Sequence, residues 1–191
     1  PEFDLHSEEK INELVLLAYH AKSSISSLLI EHQPEIMIMN RAYHKAIPLL
    51  KAHVVVSHGD LDQKNVLWDQ QNNPILIDWE SARKLNPTYE IINAALDWSG
   101  ISTTHFDREL FISMIKAYKA AGGVIKETHL QAAFYGVIGN WLNWMVYNIL
   151  RSCKADNNEQ QAMGTEQVLQ VVPTLIRLHS MISDLVAVIK Q

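Results

Sequence analysis

The sequence is poor in the residues that mark several protein classes. One of its 191 residues is cysteine, Cys153, so no disulfide can close within the chain and a disulfide framework is excluded. Its seven glycines stand at 59, 100, 122, 123, 136, 139 and 164. None forms G-x-G-x-x-G or a Walker loop, so no glycine-rich nucleotide cradle is present in this chain. No uninterrupted apolar run approaches the ~18 residues that cross a bilayer. The start shows no signal-peptide pattern, and a cytoplasmic protein with no membrane partner is expected. Bases are outnumbered: 16 Lys+Arg stand against 21 Asp+Glu, a net charge of −5. That argues against a nucleic-acid partner and leans toward a cationic small molecule. The nine histidines are scattered without H-E-x-x-H or a close pair, so no zinc motif emerges.

What is present is a helix-rich pattern with one break in texture. Apolar residues make up 48% of the chain, enough for a core. Pro1 to Phe3 read as dispensable, a leftover of an expression linker. Ile11, Leu14, Val15, Ala18, Ile25, Leu28 and Leu29 fall at helical spacing behind Ser7-Glu8-Glu9, which predicts a core helix over 7–32 that Pro34 breaks. A second helix is expected over 41–51, kinked or divided at Pro48. Val54 to Val56, Val66 to Trp68 and Ile75 to Ile77 are short strand-like runs, the last two joined by the polar cluster 69–74 as a hairpin. Helices return at 90–98, 107–121, 128–153 and 165–189, with Asp107 as an N-cap, Gly122-Gly123 as a stop and Pro173 kinking or splitting the last of them. The segment 154–164 reads as a loop. The expected fold is mainly α with a small β-hairpin insert: helices over 7–53, the insert over 54–80, and a helical subdomain over 88–191.

The insert carries the chemistry. It runs S-H-G-D-L-D-Q-K-N-V-L-W-D-Q-Q-N-N-P-I-L-I-D-W-E from Ser57 to Glu80. Asp60 follows a strand in a glycine-bearing loop, Asn65 comes five residues later, and Asp78 ends the hairpin. A loop followed by a hairpin can gather the three into one cleft. Two carboxylates and an amide oxygen make a hard, oxygen-only set that suits Mg²⁺. Phosphoryl transfer needs such a metal and a carboxylate that orients and deprotonates the attacking hydroxyl. Ser57, His58 and Asp60 lie too close along the chain to form a hydrolytic relay.

This segment, H-G-D-L-x-x-x-N-V-L-W followed by L-I-D-W-E, resembles the aminoglycoside phosphotransferase and choline kinase family of the protein-kinase-like fold. The resemblance implies that Asp60 is the catalytic base, that Asn65 and Asp78 hold Mg²⁺ and with it the nucleotide (ATP or GTP), and that His58 braces the loop. It implies transfer of a γ-phosphoryl group to a hydroxyl of an amino sugar or amino alcohol. The likeness is specific over 57–80 and only general in the flanking helices.

Two departures stand out. Asp62 occupies a position where many relatives carry His and protein kinases often carry Lys, so a cation is missing there, unless Lys64 replaces it. Glu90, three residues after Pro87, stands where relatives carry Asp. A larger feature is that residues 1–57 read as helices, with no strand set and internal lysine of a nucleotide lobe. The chain is therefore read as a single C-terminal substrate lobe spanning 1–191, whose missing N-terminal lobe is its first partner, and the fragment is expected to be inactive alone. Trp141 and Trp144 fit the core, or else a cleft wall facing a cation. Glu80, Glu90 and Asp97 can lend such a cleft negative charge. Trp79 and Trp98 read as core. The rival readings are a kinase-like binding or regulatory module without catalysis, and a helical interaction domain in which the motif is coincidental.

Overall fold

The computed structural model describes residues 3–190, and the chain forms two compact units. Of the described residues, one unit comprises Ala46–Phe134 and 183–190. The other comprises 3–45 together with Tyr135–Ile182. Among the described residues six helices run in the order α1 (Glu8–His20), α2 (Ser26–Leu50), α3 (Pro87–Trp98), α4 (Arg108–Ala120), α5 (Leu130–Lys154) and α6 (Asn158–Ile189). Between α2 and α3 lie four three-residue strands, β1 (Val55–Ser57), β2 (Val66–Trp68), β3 (Pro74–Leu76) and β4 (Arg83–Leu85). The fold is thus mostly helical, as expected.

The N-terminal stripe is core: Ile11, Leu14, Val15, Ala18, Ile25 and Leu29 are buried. The single helix expected over 7–32 is two helices. Ser7 starts α1 by accepting from the Lys10 amide at 3.1 Å, but Lys22 turns left-handed at φ 52° and ends it. Pro34 breaks nothing, and α2 runs through both Pro34 and Pro48. α6 likewise holds Pro173. All three prolines are on exposed sides of their helices, where water can take the carbonyl that each leaves without a partner. The buried series Leu29, Ile36, Met39, Tyr43, Ala46 and Leu50 continues across both prolines of α2, so packing on one face holds the helix together. The expected loop over 154–164 shrinks to three residues, because the Asn157 side chain accepts from the Gln160 amide and starts α6 early. α6 meets the length and composition of a membrane span over 18 residues at mean hydropathy 1.5, though no apolar run in it is unbroken over that length. Its apolar residues come instead as a stripe, with Val168, Val172, Leu175, Leu178, Ile182 and Leu185 buried. Pro1 and Glu2 lie outside the described residues; Phe3 is engaged, edge-on to Tyr43 at 6.4 Å.

The hairpin forms as read, with β2 antiparallel to β3 and Val66 opposite Leu76. Asp69 closes its turn, accepting from the Gln71 and Asn73 amides at 2.8 Å each. A hydrogen bond from the Asn73 side chain, with those from the Asn73 and Gln71 amides, holds the Asp69 carboxyl below its usual range. β4 escaped the sequence reading. It is a short polar stretch that pairs with β1, Ser57 opposite Arg83, and nothing in R-K-L marks a strand without its partner.

Asn86 joins three elements of the first unit. Its side-chain oxygen caps α3 by accepting from the Thr88 and Tyr89 amides. Its nitrogen donates toward the Leu49 and Ala52 carbonyls at the end of α2, and toward His129 Nδ1 at 2.8 Å. An amide nitrogen has only hydrogens to offer, so His129 accepts there and is neutral. Burial pushes the His129 pKa below its ordinary value of 6.5, with Lys126 and His53 adding to that. The unfolded chain therefore takes up this proton at a higher pH than the folded one. Stability should be complete above about pH 6.5 and should fall as pH drops below it. Urea melts between pH 5 and 8 check this, and His129→Gln should flatten the slope. Asn86→Ala should cost about 1–3 kcal/mol, from a lost cap and lost hydrogen bonds to the Leu49 and Ala52 carbonyls.

Candidate active site

The segment after β1 is shaped by a glycine and a histidine. Gly59 has φ +82°, and a Cβ there would be driven into the Ser81 carbonyl oxygen. Only glycine takes this conformation and this close approach without strain. The Gly59 amide donates to Glu90 Oε1 at 3.0 Å, so a carboxylate from α3 holds the loop by its backbone. His58 is buried. Its Nε2 lies 2.8 Å from the Ile77 carbonyl oxygen, which can only accept, so Nε2 carries the hydrogen. Nδ1 then faces the Asp60 amide as acceptor, at 3.4 Å. One imidazole thus ties the residue before Asp78 to the residue Asp60, and Trp79 covers it with ring centroids 4.6 Å apart.

Asn65 is buried at the end of a 3-10 turn, Gln63–Asn65. Its Nδ2 donates to the Asp60 carbonyl at 2.8 Å and to Asp60 Oδ2 at 2.9 Å. Both amide hydrogens are spent, which leaves Oδ1 as a pure oxygen donor. The Asn65 carbonyl in turn accepts from the Ile77 amide at 3.0 Å. Asp78 follows directly, at φ 61° and ψ 56°, and its side chain caps nothing. A left-handed aspartate is uncommon; here it re-aims the chain between β3 and a second 3-10 turn, Trp79–Ser81. Asp60 and Asn65 are therefore in direct contact, and Asp78 is tethered to both through Ile77.

The electrostatics centre on Lys64. Its ammonium is 3.2 Å from Asp62 Oδ2 and 3.9 Å from Asp60 Oδ2. The hydrogen bond to Asp62 raises the Lys64 pKa most, with further contributions from the charges of Asp62, Asp60 and Asp78. Asp97, on α3, belongs to the same field. Burial pushes its carboxyl up, Asp62 and Asp60 add to that, and Lys64 opposes it. The α3 end is fixed against the loop by Trp98 Nε1, which donates to the Leu61 carbonyl at 2.8 Å. Asp97 was readable from sequence only as one acid among several; its place depends on this tertiary bond.

The remaining sequence candidates separate. Glu80 sits exposed on the second 3-10 turn. Glu90 is not a free charge of a cleft, since it holds Gly59. Trp79 is not core: it is 54% exposed. Trp141 and Trp144 belong to the second unit, where Trp144 stacks on Tyr147 at 5.6 Å and donates to Gln167. Ser57 Oγ donates to the Val55 carbonyl and takes no part in a relay.

The family model described as the phosphotransferase enzyme family matches residues 11–134, well over half of the chain. The chain belongs to this family. Two solved structures share its fold. Spectinomycin phosphotransferase, solved with ADP and spectinomycin, is 13% identical at a TM-score of 0.60, over 93% of this chain and 58% of that one. The ethanolamine kinase of Plasmodium vivax is 15% identical at a TM-score of 0.50, over 89% of this chain and 50% of that one. This chain thus spans little more than half the length of these relatives. No curated protein matches it.

The family's loop in this chain rests on the Glu90 carboxylate. Glu90→Ala should destabilise by about 1.5–3 kcal/mol, the usual worth of a hydrogen bond to a charged group, while Glu90→Gln should lose less. Amide exchange at Gly59 and Asp60 should speed up in the alanine variant before any change at α5.

Proposed function

We propose that this chain is the C-terminal lobe of a small-molecule phosphotransferase that moves the γ-phosphoryl group of ATP or GTP to a hydroxyl of an amino sugar or amino alcohol. The observation that carries the reading is the Asp60–Asn65 pair. Asn65 fixes the Asp60 carboxylate with one amide hydrogen and leaves its own oxygen for a metal, in a loop tethered to Ile77, the residue before Asp78.

The donor set fits Mg²⁺. It consists of oxygens only, Asn65 Oδ1 and the Asp78 carboxylate, and Mg²⁺ takes one or two protein carboxylates and completes its shell with water and phosphate oxygens. Among the described residues no three His, Cys, Asp or Glu side chains gather to hold a metal, so a dedicated all-protein cage is not the design. Bound there, Mg²⁺ would neutralise charge on the phosphates. The chain's own part is Asp60, which accepts the hydroxyl proton and aims the oxygen at phosphorus. His58 keeps the Asp60 backbone and the segment before Asp78 in register. Glu80 offers a carboxylate to a cationic acceptor, and the net charge of −5 favours such an acceptor at a distance.

The nucleotide needs a second wall, which we assign to an N-terminal lobe outside this chain. The chain's share of its structural relatives supports this, and so does the surface of the strands. Val56 on β1 is 76% exposed, and Leu67, Trp68, Ile75 and Leu76 are exposed on the separate β2–β3 hairpin. Apolar strand residues left in water mark a surface that another polypeptide covers. The 191-residue chain by itself should then show no turnover with ATP.

The test is a screen of the two-lobed parent for ATP and GTP consumption against amino sugars and amino alcohols. In the responding parent, Asp60→Ala should lower kcat by on the order of 10²–10⁴-fold. Equal activity of that variant, or turnover by the isolated chain, would refute the respective part of the reading.

A further inference from the structure

We propose that Lys64 supplies the cation that meets the transferring phosphoryl group, and that Asp62 is the positioning residue that holds it there. The inference rests on the phosphotransferase reading and adds to it a residue pair of this chain.

Asp62 grips Lys64 twice. It is the N-cap of the 3-10 turn, with Oδ1 accepting from the Lys64 amide at 3.2 Å. Its other oxygen, Oδ2, lies 3.2 Å from the Lys64 ammonium. A lysine on an open surface spends its rotamer freedom in water. This one is restrained at both ends by one carboxylate, with its stem exposed, and the ammonium stands 3.9 Å from Asp60 Oδ2. That oxygen belongs to the carboxylate that would take the acceptor proton, so the attacking hydroxyl must come within hydrogen-bond reach of it. The phosphorus under attack is one bond further on. An ammonium beside the same carboxylate can therefore reach the equatorial oxygens, where charge gathers during transfer.

The step balances without Lys64 changing its protonation. The hydroxyl proton passes to the Asp60 carboxylate and the acceptor oxygen forms a bond to the γ-phosphorus. The bond from that phosphorus to the bridging oxygen breaks, and its electron pair leaves on the nucleoside diphosphate. Lys64 contributes a fixed positive charge throughout. A second consequence has the opposite sign. The same ammonium lies in the field of Asp60, Asp62 and Asp78, so it must repel a divalent cation bound at Asn65 and Asp78.

These opposite effects make the test. The folded 191-residue chain is titrated with Mg²⁺ alone, and then with inorganic pyrophosphate in excess Mg²⁺, following the amide signals of Gly59 and Asn65 by NMR. Lys64→Met should tighten Mg²⁺ and weaken pyrophosphate, each by about two- to five-fold, the size expected for one partly screened charge pair. Lys64→Arg should restore both. In an Asp62→Asn background the loss of pyrophosphate binding caused by Lys64→Met should shrink, because the ammonium is no longer held. The side chain of Lys64 is 66% exposed, so its variants should fold, and unchanged thermal melts verify that. Affinities unmoved by Lys64→Met, or moved in the same direction, overturn the proposal while Asp60→Ala still tests the reaction itself. Mg²⁺ binding that is absent, or that survives Asn65→Ala with Asp78→Ala unchanged, overturns both.

Discussion

The Ile77 carbonyl oxygen is the point on which the site's geometry depends. His58 reaches it from the loop after β1, and Asn65 holds the same residue by its amide. Two stretches nearly twenty residues apart in sequence are thereby fixed at hydrogen-bond precision. Because His58 is buried and must donate at Nε2, its other nitrogen is committed to the Asp60 backbone. A chain that lost the two tethers of Ile77, one at its carbonyl and one at its amide, would keep its residues and lose their register.

The loop is also held from behind. Glu90 takes the Gly59 amide, Trp98 takes the Leu61 carbonyl, and both come from α3. α3 is in turn anchored at its start by Asn86, whose amide meets the ends of α2 and the His129 ring. The polar site therefore stands on a chain of satisfied hydrogen bonds that ends in the apolar core around Ile92, Leu96, Phe111 and Phe134. Rigid helices carry an exposed polar loop, which is how a site keeps its geometry while its carboxylates remain in water.

Local signals made much of this legible. The hairpin, the Asp107 cap, the Gly122 stop and the Ser7 start follow from residue types whose side chains or backbone freedom act within a few positions. The errors share one cause. Pro34 ends no helix, and Pro48 and Pro173 divide none, because they lie on exposed sides, and exposure is decided by what packs on the opposite face. β4 exists because β1 pairs with it. Glu90 and Asp97 look alike in sequence, yet one is spent on a backbone amide and the other joins the Asp60–Asp62–Lys64 field. Trp79 looks like core and instead covers His58.

The order H-G-D-L-D-Q-K-N with I-D-W-E behind it determined the chemistry available here: an acid, an amide and a second acid at spacings that a loop and a hairpin can bring near one another. It determined the family as well, because those side chains are few and their order is particular. Tertiary structure alone decided which acids remain free, which lysine stands between them, and which histidine nitrogen carries the hydrogen. These depend on partners distant in the chain, and a hydrogen bond or a charge acts through distance in space, which sequence spacing does not record.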